Sequence, residues 1–507
     1  MRTPALLLLS SCCFLGCSST RPAPPPEAAT ESVAQPVQTP ADWDRQVTRP
    51  SDGDAVANRG SCVYDRGALP GESLGVSTPV GDDIPIQNVV VLMQENRSFD
   101  SYFGRFCDYT GRTDVECGSA SATNPANISD PSSPLHQVIH APALCEADTE
   151  HDWWAVHMQY DDGAMDGFFQ SNDGYSETTY SDPSLVTGDR ALWYYDQTDI
   201  PFYYQLAATF GLGDHYHSSV LGPTYPNRDY LYAATSRGVT TDDYVDTSGL
   251  GFPKHDLVIF DELEKRHVSW KIYKAGFAAG VESTLGYSTI LRWGALGYIE
   301  HFKGMDDFYD DAASGNLPSV AFVDPELTGS NASELTEGYD SKSDEHPPGD
   351  IQVGEKFTSN VVQALFASPQ WSQLAMFITW DEHGGLYDHV APPAACPPDG
   401  FAPNLTNAQD QAWPGDFDRL GVRVPVLVVS PFSKVSYVSH TVYDHTSITR
   451  FIETRFNLPA LSARDANADP MLDFFDFQNV PFATPPQMDP APVDAAQLAA
   501  CKATFDP

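Results

Sequence analysis

"VVVLMQENRSFDSYFG" (residues 89–104) is the stretch that decides the fold. Val89 to Met93 form an unbroken apolar run, the pattern of a strand buried on both faces of a parallel sheet. The run then stops at Gln94, Glu95, Asn96 and Arg97. A buried polar group without a partner costs on the order of a few kcal/mol, and a charge costs more. Either the strand surfaces there, or it delivers Glu95 and Asn96 as oxygen ligands to a cation. Ligands of open α/β sheets sit just beyond the carboxyl ends of the strands.

A second strand repeats the behaviour. "LAMFITWDEHGGLYDHVAPP" (374–393) is apolar up to Trp380 and then presents Asp381, Glu382 and His383, followed by Gly384 and Gly385. The glycines let the backbone turn sharply or approach a ligand closely. A solvated turn is the plain alternative for this motif taken alone. Two such strand ends together place four oxygen donors around one divalent cation, a set suited to a hard ion. Between them lies "HYHSSVLGPTYPNRDYLYAATS" (215–236), in which Pro223 and Pro226 bracket Thr224 and a helix begins near Asn227. The Thr224 hydroxyl at the positive end of that helix is either an N-cap or a nucleophile activated by the cation.

Further strands are expected at 268–273, 319–324 and 424–430, and helices at 200–210, 228–235, 256–266 and 306–315. Val/Ile-rich strands alternating with helices imply a mostly parallel sheet covered on both faces. The chain of 507 residues carries 69 acidic and 28 basic side chains, a formal net charge of −41. That balance excludes a nucleic-acid binder tracking phosphates. "MRTPALLLLSSCCFLGCSST" at the start reads as a secretory signal, with "FLGC" as a lipobox that would lipidate Cys17. The expected organisation is a signal peptide over 1–17, a Pro/Ala/Ser-rich tether over 18–82, a catalytic domain over 83–482 and a tail over 483–507. The product would be an exported cell-envelope lipoprotein attached to the membrane through Cys17, or a secreted protein. Six cysteines remain after Cys17, and an exported chain would close them as three disulfides. Only Cys107–Cys117 is locally closable. Cys501 is placed to pin the tail.

Fourteen histidines occur, and four have suggestive settings: His151, His301, His346 and His389. Imidazoles beside a phosphate stabilise developing charge or protonate a leaving oxygen. Structural roles are the ordinary alternative for each.

Taken together, "ENRSFDSYFG", "GPTYPNR", "NLPSVAFVDPE" with "DEHPPGD", "WDEHGGLYDHVAPP", "RVPVLVVSPF" and "YDHTSITRFIETRF" resemble, in the same order, the bacterial phosphoesterase family. That family includes phospholipases C and acid phosphatases. The resemblance covers roughly residues 84 to 475. It implies an alkaline-phosphatase-like three-layer α/β/α sandwich and a hydrolase of phosphate esters. It implies one divalent metal ion (Ca, Mg, Mn or Fe) held by Glu95, Asn96, Thr224, Asp381 and Glu382. Thr224 becomes the nucleophile; His151, His301 and His346 become phosphate-facing histidines; Asn96 and Arg228 become substrate-binding residues. The Thr form of "GPTYPNR" is similar to that of the phospholipases C, so a phospholipid ester is the expected substrate. A broad acid phosphatase on monoesters is the alternative, and a non-catalytic surface lipoprotein lies outside the class. Arg97 is expected to pair with an acidic neighbour. The helix cap at Asp444, Thr446 and Ser447 is expected to be structural.

Overall fold

Every residue of Asn88–Gln94 (β1) is buried, as the apolar run demands, and the strand lies inside an eight-stranded sheet. In a computed structural model the described residues are 43, 45–176, 180, 182–242, 258–276, 299–326 and 342–505. The other strands of this sheet are β2 (Gly211–Gly213), β3 (Trp270–Lys274), β4 (Phe302–Gly304), β5 (Val320–Asp324), β6 (Leu374–Trp380), β7 (Val426–Val429) and β8 (Tyr437–Ser439). Their spatial order is β8-β2-β7-β6-β1-β5-β3-β4. β1 pairs in parallel with β6 and β5, and β3 in parallel with β5 and β4. β7 runs antiparallel to both its neighbours, so the sheet is mostly parallel. All five strands expected from sequence are present.

The principal helices are α1 (Asp52–Gly60), α2 (Trp153–Tyr160), α3 (Pro201–Thr209), α4 (Thr224–Ala233), α5 (Ile259–Lys265), α6 (Met305–Ser314), α7 (Ile351–Ala367), α8 (His445–Phe456) and α9 (Ala495–Phe505). They divide between the two faces of the sheet, because alternate strand residues point to opposite sides. On one face Phe377 meets Phe451 of α8, Phe322 meets Tyr232 of α4, and Trp270 meets Phe260 of α5. On the other, Trp380 meets Tyr203 of α3 and Tyr273 meets Phe308 of α6, with α7 packed against both helices. The three-layer α/β/α arrangement expected from the sequence is the one observed. No helix among the described residues is long and apolar enough to cross a membrane.

One boundary is corrected. The tether expected over 18–82 holds no longer than its early part, because the chain from Arg45 onward packs on the domain. Ala55, Leu69 and Leu74 are buried, and a disulfide joins Cys62 to Cys396. The Arg49 guanidinium donates to the carbonyls of Gly75 and Thr78, tying the segment to itself. Composition misled here: Pro and Gly lower helix content, but a covalent tie and a few buried side chains suffice to order a segment. The signal peptide with Cys17, and tether residues 18–42, lie outside the described residues. Cys107–Cys117 closes as expected, and Cys145–Cys501 pins the C-terminal tail.

Cys62–Cys396 spans a sequence separation of 334 residues. Replacing both cysteines by Ser should cost about 2–4 kcal/mol of stability, since the released loop is long. Limited proteolysis should then cut first between residues 45 and 80. Unchanged melting and unchanged cleavage would show that packing alone holds the segment.

Candidate active site

Gln94 and Trp380, the last residues of β1 and β6, pair directly in a parallel ladder. The chains therefore leave the sheet side by side, and their first polar residues meet. Asn96 N donates to Asp381 Oδ1 at 3.3 Å, and Arg97 N donates to the Glu382 carbonyl at 3.1 Å. Asn96 takes a left-handed conformation, φ +61°. Gly384 lies against it at φ +64°, where an added Cβ would come within 2.6 Å of the Asn96 Cβ. Only glycine fits that approach.

His151 closes this cluster. Its Nδ1 donates to the Thr149 carbonyl at 2.7 Å, which leaves Nε2 to face Asn96 Nδ2 at 3.3 Å and Glu382 Oε1 at 3.7 Å. The His346 ring lies beside it, with centroids 5.8 Å apart. Burial, and then the neighbouring His151, hold His346 down at about 3, so its ring is neutral. Glu382 is pushed up to about 8 by burial, with His151 opposing and Asp381 adding to the rise. Burial likewise raises Glu95 and Asp381, against the pull of Arg228.

Arg228 stands one turn after Thr224 on α4 and reaches the strand ends. Its Nη2 is 2.9 Å from Glu95 Oε1, its Nε 3.0 Å from Asp381 Oδ2, and its Nη1 3.6 Å from Asp324 Oδ1. The substrate-binding role expected for Arg228 is replaced by this one, because its guanidinium already faces three carboxylates. Thr224 itself is the first helical residue and Pro223 holds the N-cap position, with no side-chain capping hydrogen bond. Thr224 is therefore not the cap. Asn227 stitches the approach loop instead, accepting from Ser219 N and Val220 N and donating to the Gly222 and Pro223 carbonyls. The amide after Thr224 donates to Asp242 Oδ1 at 2.6 Å, so the positive end of α4 accepts an anionic oxygen.

The donor set fits a hard cation. Asn96 Oδ1 and Glu382 Oε1 are buried and accept no hydrogen bond, and both residues face His151, Asn96 through Nδ2 and Glu382 through Oε1. A carboxylate oxygen and a carboxamide oxygen without donors, beside further carboxylates, are what Ca²⁺, Mg²⁺ or Mn²⁺ takes.

His301 is not brought here. Its ring stacks on Trp270 at 4.0 Å, with Nδ1 toward the Trp270 carbonyl and Nε2 3.4 Å from Glu264. The registers from β4 through β3 and β5 place it level with Val90, three strands away. That is about 16 Å short of Glu95 along the strand direction. The short motif around His301 matched without its spatial context.

Several contributors were not singled out from sequence. Glu345 is buried at φ +73° and accepts from Tyr102 and Tyr203 hydroxyls, Trp380 Nε1 and Gln94 Nε2. Its carbonyl accepts from Arg97 Nη2, and the preceding Asp344 carbonyl from Glu95 N. These bonds fix the His346 segment to the ligand loop. His445 Nε2 donates to the Asp381 carbonyl at 2.6 Å, while the cap at Asp444, Thr446 and Ser447 is structural as expected. Arg97 pairs with buried Glu146 at 2.5 Å, the acidic neighbour it was expected to find.

Asp100, Asp388 and His389 form a second group with metal-ligand spacing. Arg423 already supplies its cation, with Nε 2.9 Å from Asp388 Oδ1 and Nη2 3.1 Å from Asp100 Oδ1. His389 Nδ1 is 2.6 Å from Asp100 Oδ2. The group clamps the two ligand loops together behind the site.

A profile of the phosphoesterase family matches residues 86–459. The chain is 33% identical to non-specific phospholipase C6 of Arabidopsis thaliana, over 83% of its own length and 76% of that protein's. It is 29% identical to phospholipase C B of Mycobacterium tuberculosis, over 86% of each. Among solved structures, an alkaline phosphatase superfamily protein from Vibrio parahaemolyticus shows 10% identity and a TM-score of 0.37, over 84% of this chain and 76% of that one.

The clamp yields a pH test. Burial alone would lower His389, but its hydrogen bond to Asp100 and the charges of Asp100 and Asp388 outweigh burial and raise it to about 9. A raised histidine contributes stability that is complete below its unfolded value, near 6.5, and is lost as pH climbs through about 9. The stability gap between the parent and His389→Gln should shrink by on the order of 3 kcal/mol across that window. Urea unfolding at pH 6 and pH 9.5 measures it, and a constant gap would remove the charged clamp.

Proposed function

The chain belongs to the phosphoesterase family, and from that premise we propose that it hydrolyses phosphate esters, phospholipids first, with Thr224 as nucleophile and a divalent cation as cofactor. The observation that carries this reading is the convergence of three elements. The ends of the strands bearing Glu95–Asn96 and Asp381–Glu382 meet, and Arg228, one turn beyond Thr224 on α4, bridges them, which supports Thr224 as the residue facing them. Glu95, Asn96, Asp381 and Glu382, with the Thr224 hydroxyl, would hold the ion. When bound, it would lower the hydroxyl pKa and neutralise charge on phosphoryl oxygens.

The Thr224 hydroxyl loses its proton to solvent, and Oγ forms the bond to phosphorus while the bond from phosphorus to the leaving oxygen breaks. His346 is neutral in the substrate-free site, and an anionic phosphate beside it favours the charged ring. It then protonates the leaving oxygen and, neutral again, takes a proton from the water that attacks phosphorus, while the bond from phosphorus to Thr224 Oγ breaks and frees the nucleophile. His151 faces the same space. The Thr149 carbonyl fixes its tautomer and orients Nε2 toward the ligands. The segment 344–346 is immobilised by the donors on Glu345, so His346 has one position from which to act. On a phospholipid the product is diacylglycerol. The monoesterase reading, a broad acid phosphatase, uses the same residues with a smaller leaving group. Rates on p-nitrophenyl phosphate and p-nitrophenyl phosphorylcholine separate the two, and silence on both would leave the binding-lipoprotein reading.

Export and lipidation at Cys17 complete the proposal, supported by three closed disulfides, which persist in an oxidising compartment. Growth with a clickable fatty acid should label the parent and not Cys17→Ser; an unlabelled parent means plain secretion.

Thr224 gives the sharper test. Thr224→Ser should retain activity, because a hydroxyl remains at the helix start. Thr224→Val keeps the shape, deletes the oxygen and should lose at least about 1000-fold in turnover. Acid trapping should place phosphate on the peptide containing "GPTYPNR" in the parent alone. A Val variant turning over near the parental rate would remove Thr224 from the chemistry.

A further inference from the structure

We propose that Arg228 is a counterion resident in the metal site. It holds Glu95 and Asp381 in place when no ion is bound, and its charge weakens the site's grip on a divalent cation. The inference rests on the reading of Glu95, Asn96, Asp381 and Glu382 as cation ligands.

Geometry carries it. Each nitrogen of the guanidinium faces a carboxylate: Nη2 faces Glu95, Nε faces Asp381 and Nη1 faces Asp324, at 2.9, 3.0 and 3.6 Å. The Arg228 side chain is 3% exposed, and those of Glu95 and Asp381 are 5% and 0% exposed. Nε and Nη2 are within hydrogen-bond distance of their carboxylates, so the bridge between Glu95 and Asp381 is direct. The guanidinium is always charged and planar, so it can bridge two ligands at once. Because Arg228 lies one turn beyond Thr224 on α4, the bridge also fixes the nucleophile's helix against both strand ends.

The same bridge opposes metal binding. It takes one oxygen from each of two ligands, and it sets a positive charge beside an incoming divalent ion. Asn96 Oδ1 and Glu382 Oε1, which accept no hydrogen bond, lie outside its reach and form the open half of the site. The two halves differ in what the protein itself supplies: a resident cation on one side, donor-free oxygens on the other. Loss of an ordinary structural residue loosens a ligand set and weakens metal binding. Loss of a resident counterion does the reverse.

The test uses the full-length protein, stripped by chelation and titrated calorimetrically with Mn²⁺ and, separately, Ca²⁺. Arg228→Met should bind at least tenfold more tightly than the parent. Its stripped form should melt lower, and loading should raise its melting temperature by more than it raises the parent's. Arg228→Lys keeps the charge and loses the fork, so it should fold and bind severalfold more tightly. If the Met variant does not fold, Arg228→Gln, which also removes the charge, takes its place. Affinity that is unchanged or weaker in the variants, with a parent that binds, overturns the counterion and leaves the proposed chemistry standing. Binding by the variants but not by the parent supports the inference in its strongest form. No binding by any of the three proteins overturns both the inference and the metal reading.

Discussion

The in-register parallel pairing of β1 with β6 is the constraint on which the site depends. Because Gln94 lies opposite Trp380, Glu95 and Asp381 leave the sheet side by side, and each loop finds its partners in the other. Asp100 N reaches Asp388 Oδ2, Arg97 N reaches the Glu382 carbonyl, and Gly384 rests on Asn96. A slip of one residue would send every side chain of the strand to the opposite face. It would also part the ligands by one step along the ladder. The apolar side chains on both faces of both strands forbid that slip, so hydrophobic burial fixes polar chemistry at the strand ends.

Charge inside the domain is balanced locally although the chain as a whole is strongly acidic. Three buried arginines each answer a carboxylate or a pair of them: Arg97 on Glu146, Arg228 on Glu95 and Asp381, Arg423 on Asp100 and Asp388. Planar, always-charged guanidinium suits this use, because one side chain answers two acids in fixed directions. The exterior keeps its negative excess, which repels phosphate at long range. In the proposed chemistry, affinity for a phosphate ester comes from within the site, from the cation and the histidines beside it.

Much of this was legible in the sequence, for identifiable reasons. Strands such as Leu374–Trp380 are buried on both faces, so their apolar runs mark their own ends. Glu95, Asn96, Asp381 and Glu382 stood out because polar residues followed those runs without a turn between. What was not legible depends on partners distant in sequence. Arg228 could equally have met phosphate or carboxylate; only the fold shows Glu95 and Asp381 beside it. His301 sat in a familiar short motif, yet its strand lies three places from β1. α7 contains Gly354, Thr358 and three valines, all modest helix formers, and its formation owes more to tertiary packing than to propensity. Gly354 is itself explained by Glu345, whose Cγ would meet an added Cβ at 2.2 Å.

Glu345 and Glu382 show how a buried carboxylate declares its purpose. Both are enclosed, and burial raises both, Glu345 to about 7 and Glu382 to about 8. Glu345, however, receives four neutral donors, two on each oxygen, and needs nothing further. Glu382 receives the Gly384 amide on Oε2, with His383 Nδ1 at 3.3 Å, while Oε1 accepts no hydrogen bond. Natural interiors leave few such atoms unanswered, since each one costs on the order of 1–3 kcal/mol. A fold able to surround Glu345 with tyrosines and tryptophan had the means to do the same for Glu382. That it leaves Glu382 Oε1 and Asn96 Oδ1 without donors, in a cluster closed by a histidine of fixed tautomer and beside the carboxylates that Arg228 braces, supports the proposed cation site.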